Sequence, residues 1–181
     1  MSRLFALIAL IAFSPIIIIA AFLVAVSDGR NPFYGQWRVG KNGKLFRMWK
    51  IRTMRHDADK IGSWTTANDP RVIPVIGRML RNSNIDELPQ FWNVVKGDMN
   101  WIGPRPEQPQ YVEKFSKEIS WYNDRHRVKP GLTGWAVINK FTGNCDIARR
   151  TEYDIWGIEH RNFWLNLQIL WRTFCFKRKA A

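Results

Sequence analysis

The first block of hydrophobic positions runs from Leu4 to Val26, uncharged and interrupted in its middle by Ser14-Pro15. Its length suffices to span a hydrocarbon core of ~30 Å at ~1.5 Å per residue. The turn cluster Asp28-Gly29-Arg30-Asn31-Pro32 ends it. Beyond it the apolar blocks are short. Gln36–Val39 and Leu45–Ile51 read as strands, and Asn42-Gly43 between them is a tight-turn signal, so a β-hairpin is predicted with Lys41 and Lys44 at its tip. Thr53–Gly62 suits a short helix, and Asn68-Asp69-Pro70 a turn. Val72–Leu80 suits an amphipathic helix with Arg71, Arg78 and Arg81 around it, and Leu88–Val95 a helix ending at Gly97. Gln108–Val128 is predicted as one long helix, with Tyr111, Val112, Phe115, Ile119 and Tyr122 on a single stripe. Lys129–Gly134 reads as a loop and Trp135–Asn139 as a strand. Thr151–Phe174 reads as a last helical region, aromatic on one side and followed by Lys177-Arg178-Lys179, a pattern suited to a membrane interface. The pattern predicts an α+β, mostly helical chain: an apolar segment over residues 1–28, then one small domain over 29–181 with a hairpin and interfacial amphipathic helices.

The apolar segment admits a cleaved leader, a straight transmembrane helix, or a helix that breaks at Ser14-Pro15 and returns to the same side. Arg3 and Ala25-Val26-Ser27 fit a leader, but the run is long for one and contains a proline. Pro15 cannot donate its backbone N–H and favours a kink, and Ser14 can bond a carbonyl freed there. On these grounds alone spanning stands slightly ahead of re-entrant. Arg30, Arg38, Lys41, Lys44, Arg47, Lys50, Arg52 and Arg55 follow densely, which places the domain on the cytoplasmic side.

Charge narrows the partners. The 181 residues carry 28 Lys plus Arg against 15 Asp plus Glu, a net charge of +13 and an isoelectric point near 10.3, so the partners are anionic. Ten tryptophans favour a bilayer surface over DNA, because the indole ring sits well half wet and half buried. Cys145 and Cys175 form no CxxC or zinc-spaced cluster and read as free thiols.

Carboxylates are the scarce charge, so the adjacent pair Asp86-Glu87 stands out. Neighbouring side chains on a helix point ~100° apart. They cannot share a proton face to face, but can do separate work: one as nucleophile, the other on a metal or second reactant. Ser83 three residues before Asp86 resembles a capping box, which would place Asp86 in a first helical turn with a depressed pKa. Pro89 either kinks that helix or marks its true start. The plain alternative is a capping Asp and a surface Glu. Arg105, flanked by Pro104 and Pro106, is a cation on a stiff loop suited to bidentate phosphate binding; its alternative is a structural pair with Asp98 or Glu107. Arg81, Lys50 and Arg52 are further cations that could converge on the same phosphate.

Asp86-Glu87-Leu88-Pro89-Gln90, Lys96-Gly97-Asp98-Met99, Ile102-Gly103-Pro104-Arg105-Pro106 and Pro130-Gly131-Leu132-Thr133-Gly134-Trp135 closely resemble the bacterial sugar transferases, the monotopic phosphoglycosyl transferases. Arg38-Val39-Gly40 and Lys50-Ile51-Arg52-Thr53-Met54 join the same ordered series, from about Ser14 to Leu170, and the length resembles the minimal single-domain members. The resemblance implies transfer of a phosphosugar from a UDP-sugar to undecaprenyl phosphate, with release of UMP, through a covalent phosphosugar-enzyme intermediate and with Mg2+. It assigns the nucleophile to Asp86, the Mg2+ and second half-reaction to Glu87, phosphate binding to Arg105, and a re-entrant helix break to Ser14-Pro15. Re-entrant then leads over spanning. It places the protein at the bacterial inner membrane with its catalytic domain in the cytoplasm, in contact with membrane lipid, at the first membrane step of exopolysaccharide, O-antigen or glycoprotein glycan synthesis. Nucleic acid is not an expected partner. A basic nucleic-acid-binding module and a non-catalytic membrane scaffold stand as alternatives. The sugar and the oligomeric state are left open. The sequence departs from the family pattern at Asn100-Trp101, at Lys140-Phe141, where Gly-Arg is usual, and at Gly157, where Tyr is frequent.

Overall fold

The computed structural model describes residues 2–55, 58, 69–143 and 145–175. Helix α1, Ser2–Asp28, is one continuous helix that passes through Pro15. The interruption expected at Ser14-Pro15 is therefore absent. Pro15 has no N–H for the Ile11 carbonyl, and the Ser14 hydroxyl donates to that carbonyl instead, at 2.8 Å. One face of α1 is packed and the other bare. Ile17, Ala20 and Val24 bury against Ile51, Ile73 and Leu80, while Ala6 buries against Phe46, Met48, Val94 and Met99. Phe13 stacks on Phe91 with ring centroids 6.0 Å apart. Trp101 Nε1 donates to the Ser2 carbonyl.

The hairpin forms as predicted. Strands β1 (Phe33–Val39) and β2 (Leu45–Ile51) pair antiparallel from Phe33↔Ile51 to Val39↔Leu45. The turn succeeds because Asn42 and Gly43 both take positive φ, 55° and 75°. Asn93 pins the next layer to this hairpin: fully buried, it accepts from the Trp49 N–H at 3.1 Å and donates to the Arg47 carbonyl at 2.6 Å.

Several helix boundaries differ from the predicted ones. Met54 bridges Val72 rather than joining a helix, and most of the helix expected over Thr53–Gly62 lies outside the described residues. Helix α2 is Ile76–Ser83, not Val72–Leu80, because Pro74 excludes the preceding residues. Helix α3, Gln90–Lys96, ends as predicted at Gly97, which takes a left-handed φ of 87°. The long helix over Gln108–Val128 is two pieces: α4, Pro109–Glu118, and a 3-10 turn, Tyr122–Arg127. The backbone is extended at Ile119, yet Phe115, Ile119 and Tyr122 still share one buried cluster. Strands β3 (Asn100–Ile102) and β4 (Gly131–Thr133) pair in parallel. Trp135–Ile138 is a short helix, α5, where a strand was expected. The last helical region is split into α6, Ile147–Glu159, and α7, Phe163–Cys175. Phe163, Trp164, Leu167 and Trp171 stand exposed on α7.

Candidate active site

The carboxylate pair sits on a 3-10 turn, Ile85–Glu87, between α2 and α3. Asn84 makes this possible: it ends α2 in a left-handed conformation, φ 56°, and redirects the chain. Ser83 does not cap the turn. It is the last residue of α2, and its hydroxyl donates back to the Met79 and Leu80 carbonyls. Pro89 directly precedes the first residue of α3, so of its two readings it marks a helix start.

Glu87 and Asp86 diverge. Glu87 Oε1 accepts from Lys50 Nζ at 2.8 Å and from Arg105 Nη2 at 2.7 Å. Asp86 has no hydrogen-bond partner among the described residues and is only 8% exposed, on the wall of an open cleft of about 530 Å³. Arg38, Lys50, Arg52, Arg55, Arg71 and Arg81 line the same cleft. Lys50, Arg52 and Arg81 thus share the cleft with Asp86, whereas Arg105 does not line it and bonds the neighbouring Glu87 instead. Arg52 is engaged elsewhere, ion-paired with Asp28 at 2.8 Å. Ser14 and Pro15 lie on α1 and do not line the cleft.

The electrostatics correct one expectation. Burial raises the Asp86 carboxyl to about 6, aided by the Glu87 charge and only partly offset by Lys50, Arg81 and Arg105. A depressed value would have needed the helix-start position that Asp86 does not occupy. The group is still roughly nine-tenths ionised at pH 7. Burial lowers Lys50, opposed by Glu87, and the Glu87 charge raises Arg105. If ionised Asp86 does the chemistry, kcat/KM for a diphosphate diester falls about tenfold per pH unit below pH 6. Such a donor has no titrating group in that range. A profile flat from pH 7 to 5 would remove Asp86 as the reacting base.

Arg105 is held from behind. Arg125 and Asp154, each with a side chain 2% exposed, pair at 2.6 Å, and Arg125 Nη2 also donates to the Arg105 carbonyl at 2.8 Å. Glu107 pairs with Arg150 at 2.6 Å and Arg38 at 3.5 Å. Burial alone would raise Glu107, but these arginines hold it below the usual carboxylate range. The loop leaves the end of β3, where the Gly103 N–H donates to the Thr133 carbonyl and the Gly131 N–H to the Pro104 carbonyl. The approach requires glycine. A Cβ at Gly131 would lie 2.1 Å from Gly103 N, and one at Gly134 would lie 2.3 Å from Gly103 O. The two glycine-proline motifs therefore form one unit. Sequence reasoning named both motifs but missed this join, along with Asn93, Arg125, Asp154 and Arg150. The one available signal was the pair of glycines in Pro130–Trp135.

At the departures, Lys140 takes φ 69°, a conformation natural to the glycine usual there, and Phe141 packs its ring on Tyr153 at 4.5 Å. No described residue of this loop lines the cleft. Gly157 lies against Trp135, whose Cβ would be 2.7 Å from an added methyl group.

The structure thus presents a cation-lined cleft with one unbonded carboxylate, on a domain whose core is completed by an apolar helix. The chain belongs to the bacterial sugar transferase family, whose model matches residues 1–178. It is 38% identical, over 96% of its length, to the UDP-N-acetylgalactosamine-undecaprenyl-phosphate N-acetylgalactosaminephosphotransferase of Aeromonas hydrophila. It is 38% identical, over 95% of its length, to the UDP-glucose:undecaprenyl-phosphate glucose-1-phosphate transferase of Escherichia coli (strain K12). The matched regions are 41% and 38% of those two proteins, so the chain spans about two fifths of their length. An uncharacterized sugar transferase of Bacillus subtilis (strain 168) is 38% identical over 88% of this chain and 76% of its own length.

Proposed function

We propose that the protein is a phosphoglycosyl transferase that moves a sugar 1-phosphate from a UDP-sugar to undecaprenyl phosphate. The observation that carries this reading is Asp86: an unbonded, mostly ionised carboxylate among cations, beside a Glu87 already claimed by Lys50 and Arg105. In the first step an Asp86 oxygen attacks the sugar-linked phosphorus. The bond to the bridging oxygen breaks, and UMP leaves with the electron pair. In the second step a phosphate oxygen of the lipid attacks the same phosphorus and Asp86 departs as carboxylate. Arg105, Arg81 and Lys50 neutralise the diphosphate so that an anion can approach it. Splitting the reaction in this way lets one site serve a soluble donor and a lipid acceptor in turn.

The donor chemistry fits Mg2+. Among the described residues no group of three or more His, Cys, Asp or Glu could cage a metal. Mg2+ commonly takes one or two carboxylates plus substrate phosphates and water. Glu87, with Asp86 beside it, would hold the ion once Lys50 and Arg105 turn from Glu87 to the donor phosphates, and the ion would supply Lewis-acid neutralisation of the diphosphate.

The bare face of α1 and the aromatic face of α7 support a monotopic arrangement at the inner membrane, with the cleft open to the cytoplasm. Ala6 and Val24, near opposite ends of α1, are both 0% exposed against the same domain. They lie roughly 27 Å apart along the axis at ~1.5 Å per residue. A helix upright across the bilayer would draw the packed domain in with it. Shallow insertion from one side does not.

The two named relatives use different sugars, so the test is a panel. Nanodisc-held protein with Mg2+, undecaprenyl phosphate and UDP-glucose, UDP-N-acetylgalactosamine or other UDP-sugars is expected to release UMP with one of them. Release from none, with the protein folded, would favour a non-catalytic scaffold.

A further inference from the structure

Arg52 lines the cleft with Asp86, yet its ion pair leads away from the carboxylate dyad. Its partner Asp28 is the last residue of α1 and the only acid in that helix, whose last turn carries no basic residue. A negative charge there opposes the helix dipole, and Arg52 is the cation that offsets it. The contact is close but badly aimed. Arg52 Nε, Arg52 Nη2 and Asp28 Oδ2 are all buried, and none has a hydrogen-bond partner among the described residues. A buried guanidinium short of acceptors beside an open cleft is suited to a phosphate, which can satisfy two donors at once. Arg52 is also the cleft cation tied to the end of the apolar helix α1, the side from which a lipid-borne phosphate would arrive.

We propose that Arg52 receives the acceptor. A polyprenyl phosphate keeps its chain in the lipid beside α1, and its phosphate takes Arg52 from Asp28. Arg81, Lys50 and Arg105 serve the donor diphosphate. The assignment rests on the two-step reading above. A lipid phosphate oxygen forms the new P–O bond to the phosphosugar, the Asp86–phosphorus bond breaks, and Asp86 recovers its charge without proton transfer. Arg52 acts in this step and not in the release of UMP.

The two steps can be measured apart, using whichever of UDP-glucose and UDP-N-acetylgalactosamine the wild type turns over. UMP release without acceptor reads the first, and titration with undecaprenyl phosphate in nanodiscs reads the second. Arg52→Ala is expected to change the UMP burst less than about threefold and to raise the acceptor KM at least about tenfold, the range of a lost charged hydrogen bond. Arg52→Lys should fall between, and Asp28→Asn should lower the acceptor KM because the competitor is gone. An acceptor KM unchanged in the arginine variants, or a burst and turnover that fall together, would overturn the assignment. Thermal scans identify unfolding, and if Arg52→Ala unfolds, Arg52→Lys and Asp28→Asn decide. A wild type that turns over without any burst would contradict the covalent reading instead. The acceptor KM of Arg52→Lys would then still judge Arg52.

Discussion

Asp86→Asn is expected to abolish UMP release, by about 10^4-fold or more, while making the protein more stable. The first effect follows from removing the proposed nucleophile, whose loss in enzymes with covalent intermediates takes away nearly the whole chemical acceleration. The second follows from burial. The folded state raises the Asp86 carboxyl from 3.8 to about 6, so it binds that proton more tightly than the unfolded chain does. The cost of the charge is absent below about pH 4, where both states are protonated, and fully felt above about pH 6, at on the order of 3 kcal/mol. Asparagine keeps the shape and drops the charge. A melting temperature several degrees above wild type at pH 7.5, with the gap closing towards pH 4, is the expected signature. A less stable variant would mean that Asp86 is held by favourable contacts, and that its site is not built at the expense of the fold. Retained UMP release would remove it as nucleophile.

Arg105→Ala carries the second large effect. The guanidinium already bonds a carboxylate oxygen at 2.7 Å and stands on a loop fixed through its backbone, so it meets a phosphate with little reorganisation. Loss of one such preorganised donor commonly costs about 10^2–10^3-fold, and this loss is expected in kcat/KM for the donor. The loop itself should survive, because Arg125 binds the Arg105 carbonyl and not its side chain. Arg105→Lys should recover part of the rate and none of the bidentate geometry. Single-turnover UMP release with a thermal scan beside it checks both halves. A rate within about threefold of wild type would reduce Arg105 to a partner of Glu87.

Much of the site was legible because its parts are local. The hairpin followed from Asn42-Gly43, the end of α3 from Gly97, and the Arg105 loop from its flanking prolines. The misses are tertiary. The stripe from Tyr111 to Tyr122 reads as one helix because periodicity sees which residues are buried together, and Ile119 keeps its place in the cluster although its backbone is extended. Four residues from Trp135 to Ile138 are too few for any period to separate helix from strand. Ser83 looked like a cap because spacing says nothing of where a helix stops. Asn84, which tolerates a left-handed backbone, stopped α2 one residue later and left Asp86 in a buried turn with its pKa raised. The partnership of α1 with the cleft through Asp28 and Arg52 joins residues distant in sequence, and no motif announces it.

The covalent step proposed for Asp86 is tested most directly by intact-protein mass spectrometry. Wild type, Mg2+ and a UDP-sugar that supports turnover are mixed without acceptor and quenched within the burst. A mass increase of one sugar phosphate is expected, mapped to the peptide holding Asp86, absent in Asp86→Asn, and discharged when undecaprenyl phosphate is added. Full turnover with unmodified protein at every time point, or a modified peptide that lacks Asp86, would contradict it.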